Sequence, residues 1–388
     1  MKAPNPVYGS QGTTIFAVMS GLAAEAGAIN LGQGFPDDEG PDDIRAAAAQ
    51  AIVDGPNQYP PMMGVPELRQ AVAAHADRFY GVGLDWQSQV LITSGATEAL
   101  AASLGALLKP GDEAILIEPF FDTYLPVIEA AGATAKCVAL HPPNWTLELD
   151  ELEAAFSDKT KLILLNTPHN PLGRVFSHND LVAIADACIR HDVVAVCDEV
   201  YEHMVFDGMQ HTPLITLPGM SDRTVRIQSA GKIFSLTGWK VGFISGSPDL
   251  VSLISKAHQN LVFTTPPGLQ IGVAYGLGKD DAFFTEQSGD LASKRDLLRA
   301  GLEAIGFEIS PCQGTYFLTA DIRPLAGDEQ DIDFCKRITT EAKVAAVPIS
   351  AFYAPNSNHK SHHFIRFCFC KQPAVLEEAC NRLSHYLR

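Results

Sequence analysis

Short apolar runs alternate with amphipathic stretches from about residue 40 to residue 280. Several of the runs are continuously apolar, which is typical of strands buried on both faces of a sheet. The pattern predicts an α/β fold in which a mostly parallel, seven-stranded sheet is flanked by helices. The predicted strands are Gln89–Ser94, Glu113–Ile117, Thr134–Leu140, Leu162–Asn166, Val193–Asp198, Thr224–Gln228 and Val241–Ser245. The predicted helices between them are Thr97–Leu108, Thr123–Ala131, Asn179–Arg190 and Asp249–Gln259.

After residue 280 the pattern changes to a long helix followed by short strands, which indicates a separate, smaller α+β domain. The first 40 residues have few helix signals, and we expect them to form an arm that joins this domain. The predicted domains are therefore 1–40 (arm), 41–280 (large domain) and 281–388 (small domain). The later predicted elements are a helix at Asp281–Ile305, strands at Phe307–Ile309, Gly314–Ile322, Val344–Ile349 and Phe364–Phe369, and a helix from Ala374.

Composition narrows the class of protein. Of the 388 residues, 46% are hydrophobic and 19% charged, as in globular proteins. The net charge of -17 argues against nucleic-acid and anionic-membrane partners. No apolar run approaches the ~20 residues that span a bilayer, and the first eleven residues contain no signal-peptide core. The eight cysteines form no CxxC framework, so we expect a cytoplasmic protein without a metal site. Cys368 and Cys370 alternate along a strand-like run and would face the same side.

The stretch from Ser229 to Gly242 carries the strongest chemical signal. Lys232 lies three residues after Ser229 and eight before Lys240, with small residues between them. A lone lysine is normally a solvated surface residue. Desolvation, however, lowers the pKa of an amine and makes it a better nucleophile toward an aldehyde. The arrangement suits a lysine that binds an aldehyde cofactor as an imine while Ser229 and Lys240 grip its phosphate.

Other candidate groups follow the ends of predicted strands, where ligands collect in open α/β sheets. The turn Gly95–Thr97 begins a helix whose free N–H groups can bind phosphate, although an ordinary helix cap is the better explanation of this turn taken alone. Phe121 can stack on a pyridine ring or serve as a core residue. Asn170, in the loop 166–173, can donate to a phenolate oxygen, or it marks a generic Asn-Pro turn.

Two charged residues adjoin or interrupt apolar strands. Asp198 directly follows a buried run, where an acid is costly unless it is paired. A pyridinium nitrogen is a fitting partner, and a helix cap is the alternative; Tyr201 could then reach the ring hydroxyl. Arg366, inside the run Phe364–Phe369, needs an anion, which is either a substrate carboxylate or a structural Asp or Glu.

Together these motifs resemble the fold-type I pyridoxal-phosphate enzymes, in the class I and II aminotransferases, over nearly the whole chain. The stretches 31–37, 229–232 and 365–369 are typical of the branch that holds the kynurenine and glutamine transaminases and the bacterial methionine aminotransferases. Lys240 departs from the wider family, where arginine is commoner, and Ile233 stands where threonine is more usual. The family's functional positions occur in order as Gly34, Tyr59, Gly95–Thr97, Phe121, Asn170, Asp198, Tyr201, Ser229, Lys232, Lys240 and Arg366.

The resemblance implies a homodimeric enzyme that uses pyridoxal 5′-phosphate to move an amino group from an L-amino acid to a 2-oxo acid by a ping-pong mechanism. Lys232 would be the catalytic residue, and it would bind the cofactor and relocate the proton. The implied substrate-binding residues are Gly34, Asn170 and Arg366. The implied cofactor-binding residues are Gly95, Ala96, Thr97, Phe121, Asn170, Asp198, Tyr201, Ser229, Lys232 and Lys240, with Tyr59 reaching the phosphate of the neighbouring subunit. Phe263 and Thr264 would line the site of that neighbouring subunit.

Substrate choice and reaction type stay open at this point. No second substrate-binding arginine is evident, and Phe35, Phe121 and Phe263 suggest a roomy aromatic pocket. We therefore expect neutral donors, namely methionine, aromatic amino acids, glutamine or kynurenine, with an aspartate or glutamate specificity as the alternative. A cysteine-conjugate C–S β-lyase would use the same lysine. A regulator with an aminotransferase-like domain is disfavoured, because only about 30 residues precede Leu31 and the chain is acidic.

Overall fold

The computed structural model describes residues 4–387. Its strands, numbered β1 to β14, are Ile29–Asn30, Val90–Thr93, Glu113–Glu118, Thr134–His141, Thr146–Leu147, Thr160–Asn166, Val194–Asp198, Thr224–Ser229, Gly242–Gly246, Glu308–Ile309, Phe317–Asp321, Val344–Ala345, Val347–Pro348 and Phe364–Cys368. Its α-helices, numbered α1 to α16, are Pro6–Gly9, Ile15–Ala26, Asp42–Asp54, Pro66–Tyr80, Trp86–Gln89, Gly95–Leu107, Tyr124–Ala130, Leu149–Ala155, His178–Arg190, Ala230–Ile233, Pro248–Leu261, Pro267–Leu277, Asp281–Ile305, Arg323–Ala326, Asp331–Arg337 and Pro373–Leu387. Short 3₁₀ turns cover Leu214–Thr216, Thr237–Trp239 and Ile349–Phe352, and a π turn covers Ile338–Ala342.

The main sheet has eight strands in the order β2-β9-β8-β7-β6-β3-β4-β5. Strand β9 runs antiparallel to both of its neighbours, and β5 runs antiparallel to β4. The remaining pairs are parallel. All seven predicted strands lie in this sheet, so the predicted α/β class is confirmed, and the two-residue β5 adds an edge strand. Within residues 4–387, no helix has the length and apolar character needed to cross a membrane.

The central strands are apolar throughout because both of their faces are covered. On β3, Ile115 and Ile117 pack into one hydrophobic cluster, whereas Ala114 and Leu116 pack into the cluster on the opposite face. Strand side chains alternate between faces, so a strand covered on both sides has no polar position to fill. This burial explains why the sequence shows continuous apolar runs rather than alternating apolar and polar residues.

The C-terminal part forms a four-stranded antiparallel sheet in the order β10-β11-β14-β13. The predicted strand at 344–349 is split there, because β12 pairs with β1 whereas β13 pairs with β14. The β1–β12 pair ties the N-terminal segment to the C-terminal part. The proposed domain boundaries at residues 40 and 280 stay predictions.

Helix α2 corrects the expectation of few helical residues before position 40. Thr14 caps it by accepting from the Ala17 backbone N–H, and Gly27 ends it in the left-handed conformation. Met19 and Ala23 are its buried residues, and Met19 packs into a hydrophobic cluster built mostly from residues beyond position 290. The helix is rich in small residues, so it lacks the strong apolar stripe on which pattern-based prediction depends.

Candidate active site

A cavity of about 230 Å³ lies at the carboxyl edge of the main sheet, where β6, β7 and β8 end. Parallel pairing puts the ends of these strands side by side, with Asn166 opposite Asp198 and Asp198 opposite Ile227. The structure brings together every residue that was predicted to hold the cofactor within one subunit. These cavity-lining residues are Gly95, Ala96, Thr97, Phe121, Asn170, Asp198, Tyr201, Ser229, Lys232 and Lys240.

A second cavity, of about 220 Å³, adjoins the first and shares four of its residues. The shared residues are Phe121, Asn170, Tyr201 and Lys232. The other predicted substrate-binding residues, Gly34 and Arg366, line this second cavity. Gly34 is fixed by sterics, since a Cβ there would lie 2.6 Å from the Phe317 ring. Because they share these residues, the two cavities form one site with two compartments of similar volume.

One end of the first cavity is built for an anion. Helix α6 begins there, and Ser94 makes no side-chain capping bond to its first turn. The Lys240 ammonium donates to the Thr97 hydroxyl at 3.3 Å, and no carboxylate within residues 4–387 lies within 4.0 Å of it. A Cβ on Gly242 would lie 2.6 Å from the Gly95 carbonyl carbon, so β9 approaches this turn closely. Free N–H groups, a helix dipole and an unpaired ammonium together favour a phosphate.

Asp198 lies at the opposite wall, buried and only partly supplied with hydrogen-bond donors. Its carboxylate accepts from the Tyr124 hydroxyl at 2.6 Å and from the Val200 N–H at 3.4 Å. Burial raises the pKa of Asp198 to about 6, although the Tyr124 bond and the charge of Lys232 oppose that rise. A protonated ring nitrogen in the cavity would supply the positive charge that the ionised carboxylate lacks.

This buried carboxyl should make cofactor-free protein less stable at higher pH. The pKa of Asp198 is about 6 in the folded chain and 3.8 when exposed, so the folded state holds more protons between those values. Stability is therefore lost as the pH rises through about 6. Between pH 4 and pH 8 we therefore expect the free energy of unfolding of Asp198→Asn to rise by about 2–3 kcal/mol relative to that of wild type. Urea unfolding checks this, with exposed Asp158→Asn as the control; equal pH profiles for wild type and Asp198→Asn would contradict it.

Lys232 is half-buried in the cavity wall, and its amine has no anionic partner within residues 4–387. Its Nζ donates to the Tyr316 hydroxyl at 2.8 Å, and it lies 3.4 Å from the Gly34 carbonyl oxygen. Burial lowers the pKa of Lys232, against the opposing charges of Cys370, Cys368 and Asp198. Tyr316 is held in place because its own hydroxyl donates to Gly34 at 2.7 Å. A larger fraction of the Lys232 amine is consequently neutral and nucleophilic than in a solvated lysine.

Arg366 is fully buried, and no carboxylate within residues 4–387 lies within 4.0 Å of it, so the structural ion pair considered from sequence is not formed. Its Nη1 donates to Asn170 Oδ1 at 2.8 Å and its Nη2 to the Gly32 carbonyl at 2.7 Å. The guanidinium carbon lies 3.9 Å from the centre of the Phe317 ring. Nε is buried without a partner, and burial lowers the pKa of Arg366 to about 10. A buried cation of this kind is completed by an anion from outside the chain.

The contact between Arg366 and Asn170 also orients the amide. Because an arginine has only donors, the Asn170 oxygen faces it, and the NH₂ group is left for an acceptor in the cavity. The Asn170 backbone N–H donates to Asn166 Oδ1 at 2.7 Å, which fixes the loop to the end of β6. The loop therefore holds the amide donor between the two compartments.

Tyr59 and its expected neighbours lie apart from both cavities. The Tyr59 side chain is 85% exposed and meets the Phe263 ring edge-on, with ring centres 5.6 Å apart. The Thr264 hydroxyl donates to the Pro61 carbonyl at 3.3 Å. The structure thus places this set on the surface, where a second subunit could meet it.

Two tyrosines of the site were not found from the sequence. Tyr124 bonds to Asp198, and Tyr316 bonds to Lys232. Tyr124 begins helix α7 and lies inside the predicted helix Thr123–Ala131, and Tyr316 precedes strand β11 inside the predicted strand Gly314–Ile322. Both therefore looked like ordinary aromatic residues of regular elements.

The residues present fit pyridoxal phosphate. The cavity offers an anion-binding end, a buried acid at the opposite wall, and an amine without an anionic partner between them. An aromatic ring, Phe121, lines both compartments.

Comparisons with known proteins agree on one family. The model of aminotransferase class I and II matches residues 26–383. A probable N-succinyldiaminopimelate aminotransferase of Mycobacterium tuberculosis is 44% identical over 380 residues, which cover 96% of each chain. A methionine aminotransferase of Escherichia coli is 40% identical, over 96% of this chain and 95% of the relative. The human kynurenine–oxoglutarate transaminase 3 is 37% identical, over 92% of this chain and 85% of the relative. The solved structure of an N-succinyldiaminopimelate aminotransferase from M. tuberculosis superposes with a TM-score of 0.95 over 99% of this chain and 100% of that one, at 44% identity.

Proposed function

This chain belongs to the class I and II aminotransferases, and from that premise we propose that it moves the amino group of a neutral L-amino acid to a 2-oxo acid with the help of pyridoxal 5′-phosphate. The family and the activity class predicted from the motifs are confirmed. The observation that carries the finer proposal is the pair Lys232 and Arg366. Arg366 is buried and Lys232 is half-buried, neither has a carboxylate partner within residues 4–387, and both line the compartment next to the anion-binding end.

The cofactor contributes one thing, a protonated ring that accepts the electrons released when the substrate α-carbon loses its proton. With the cofactor bound, Asp198 would keep the ring nitrogen positive. Asn170 and Tyr201 would donate to the ring hydroxyl oxygen, and Phe121 would pack on the ring. Ser229, Lys240 and the N–H groups of Ala96 and Thr97 would hold the phosphate, because all of these residues line the same cavity.

The chain's own residues position the substrate and move its proton. Arg366 binds the α-carboxylate with its planar fork, which directs the α-carbon toward Lys232. Lys232 takes the proton from the α-carbon and transfers it to a second atom. Its lowered pKa suits it to this role, because more of the amine is neutral and able to accept a proton. The 2.8 Å hydrogen bond to Tyr316 keeps the Lys232 amine in position to accept that proton. Buried walls exclude water from the compartment and strengthen each of these charge interactions.

Neutral donors are favoured by the lining of the substrate compartment. Its walls carry the rings of Phe16, Phe35, Phe121 and Phe317, and its only cations within the described chain are Lys232 and Arg366. With Arg366 assigned to the α-carboxylate, no charge remains for a second acidic group. Methionine and phenylalanine match such walls, whereas N-succinyldiaminopimelate, the substrate in the name of one relative, carries further carboxylates.

A donor panel tests the proposal. Purified enzyme with added cofactor is given methionine, phenylalanine, glutamine, kynurenine, aspartate, glutamate and N-succinyldiaminopimelate, each against several 2-oxo acids. We expect methionine and the aromatic donors to give the highest kcat/KM. A preference for aspartate, glutamate or N-succinyldiaminopimelate would overturn the substrate assignment. Release of pyruvate and ammonia from a cysteine conjugate without any oxo acid would show a β-lyase instead.

We also propose a homodimer, because apolar side chains are exposed around Tyr59. The exposed set is Val53, Tyr59, Leu261, Val262 and Phe263. An exposed apolar patch of this kind is typical of a protein interface. All eight cysteines are free, which supports the proposed cytoplasmic location.

Tyr59→Phe should weaken cofactor binding if Tyr59 reaches the phosphate of a neighbouring subunit. Loss of one hydrogen bond to a charged group costs about 1.5–3 kcal/mol, so we expect the dissociation constant of pyridoxal phosphate to rise about 10- to 100-fold. Fluorescence titration of cofactor-free dimer measures it, and Tyr386→Phe is the matched control on helix α16. An unchanged constant for Tyr59→Phe would remove this residue from the site.

A further inference from the structure

Two thiols lie side by side next to the active site and take no part in the proposed reaction. The sulfur atoms of Cys368 and Cys370 are 3.1 Å apart, and either can donate to the other. Both residues are buried, at the end of β14 and two residues beyond it. A disulfide has a sulfur–sulfur bond of about 2.05 Å, so the two atoms are roughly 1 Å from bonding distance.

We propose that Cys368 and Cys370 are a modification site, a dithiol that hydroperoxides oxidise to an intramolecular disulfide. Their spacing by one residue lets the two side chains meet on one face of the strand. Small rotations of the side chains, with a local adjustment of the backbone between them, suffice to bring the sulfur atoms together.

The surroundings of the pair favour a thiolate, which is the reactive form of cysteine. Burial raises the pKa of the Cys368 thiol, but the bonds from Cys370 and the positive charges of Arg366 and Lys371 outweigh it and lower that pKa overall. Lys232 adds a further positive charge close to Cys370. Burial and the neighbouring Cys368 raise the pKa of the Cys370 thiol, so the thiolate forms on Cys368 and Cys370 donates its proton to it across 3.1 Å.

A small oxidant has a route to the pair. Cys370 lines a third cavity of about 370 Å³, together with Met204, Phe234, Gln287 and Tyr316. The wall also includes exposed Asp38 and half-buried Gly40, so the cavity reaches the surface. Hydrogen peroxide is small enough to enter it and to reach Cys370, whose sulfur lies 3.1 Å from the Cys368 sulfur that carries the thiolate.

The reaction balances without any other reagent. The thiolate attacks one peroxide oxygen, the O–O bond breaks, and hydroxide leaves as water after taking a proton. The second thiol then attacks the sulfur of the resulting sulfenic acid, so that the S–S bond forms, the S–O bond breaks and the hydroxyl group leaves as a second water with the thiol proton. The two sulfurs lose two electrons in total, and one hydrogen peroxide is reduced to two molecules of water.

Closing this bond would disturb the site, a consequence that rests on the proposed function. The Cys368 N–H donates to the Leu31 carbonyl at 2.7 Å, and the Phe369 N–H donates to the Tyr316 carbonyl at 2.9 Å. Backbone that shifts between the two cysteines therefore pulls on Tyr316, the hydrogen-bond partner of Lys232. We expect the oxidised enzyme to lose activity several-fold.

Mass spectrometry tests the modification independently of activity. Cofactor-loaded enzyme is treated with hydrogen peroxide, denatured in an alkylating agent and digested with trypsin without reductant. Cleavage after Arg366 and Lys371 yields the peptide 367–371, which contains only these two cysteines. We expect this peptide to be unalkylated and two hydrogen atoms lighter, and to become doubly alkylated after dithiothreitol. Peptide that stays doubly alkylated, or that carries only sulfinic or sulfonic acid, would overturn the proposal.

Matched variants separate the pair from the other thiols. Cys370→Ser should lose the light peptide and should keep its activity in peroxide, whereas Cys380→Ser, which removes a half-buried cysteine elsewhere, should behave as wild type. A disulfide with unchanged activity would contradict the link to Tyr316. The mass result decides the modification even if the donor panel shows no transamination, so the two proposals fail separately.

Discussion

Lys232→Ala is expected to lower kcat for amino-group transfer by about 10⁴-fold or more, because the variant loses both its nucleophile and its general base. Wild-type enzyme mixed with pyridoxal phosphate should develop the visible absorption of a lysine-bound cofactor, and the variant should not. Steady-state kinetics and an absorption spectrum measure the two effects on the same samples. The variant should stay folded, since the buried amine bonds only to Tyr316 and Gly34.

A second lysine provides the control for Lys232. Lys294 is partly buried and pairs with Asp290 on helix α13, away from the two active-site compartments. Lys294→Ala should retain the visible band and nearly all of the activity. If Lys232→Ala kept the band, or lost no more activity than Lys294→Ala, the assignment of the reacting amine would be wrong.

Arg366→Gln is expected to reduce kcat/KM for amino acids by about 30- to 3,000-fold, the range that corresponds to losing one member of a buried charge pair. Most of the loss should appear in KM, because the guanidinium binds a carboxylate that does not react. Arg366→Lys should restore little of the lost kcat/KM, since an ammonium cannot form the two parallel hydrogen bonds of the planar guanidinium. Kinetics with methionine or phenylalanine as donor provide the measurement.

Stability distinguishes a substrate-binding arginine from a structural one. Burial lowers the pKa of Arg366 to about 10, so keeping the guanidinium charged at neutral pH costs the folded chain free energy. The free energy of unfolding of Arg366→Gln without substrate should therefore not fall. A large loss of stability together with an unchanged KM would identify Arg366 as a structural residue.

The sheet could be read from the sequence because burial leaves a direct trace in it. Residues Leu162–Leu165 are apolar at every position, and the structure buries all four of them in strand β6. The same reasoning failed for helix α2, whose Ala, Ser and Gly residues give no strong periodicity. It also failed at 344–349, because two sheets share that short stretch and pattern alone does not reveal pairing partners.

Some residues of the candidate active site could be predicted from the sequence and others could not, again for a physical reason. Asp198, Lys232 and Arg366 stood out because a charge in an apolar run needs an explanation. Tyr124 and Tyr316 did not, because a buried tyrosine is common and its hydroxyl partner depends on tertiary contacts. Only the coordinates show that Tyr124 bonds to Asp198 and Tyr316 to Lys232.

Helix α2 supplies one wall of the substrate compartment, through Phe16. That ring lines the compartment and lies 5.2 Å from the Arg366 guanidinium carbon. The groups that carry the chemistry stand instead at the ends of the main sheet, on elements that share no residue with this helix. Substitutions in this N-terminal helix can therefore change which substrate side chain fits while the catalytic residues stay the same, both in evolution and in the laboratory. A library of variants confined to residues 15–26 is a natural route to new donor preferences.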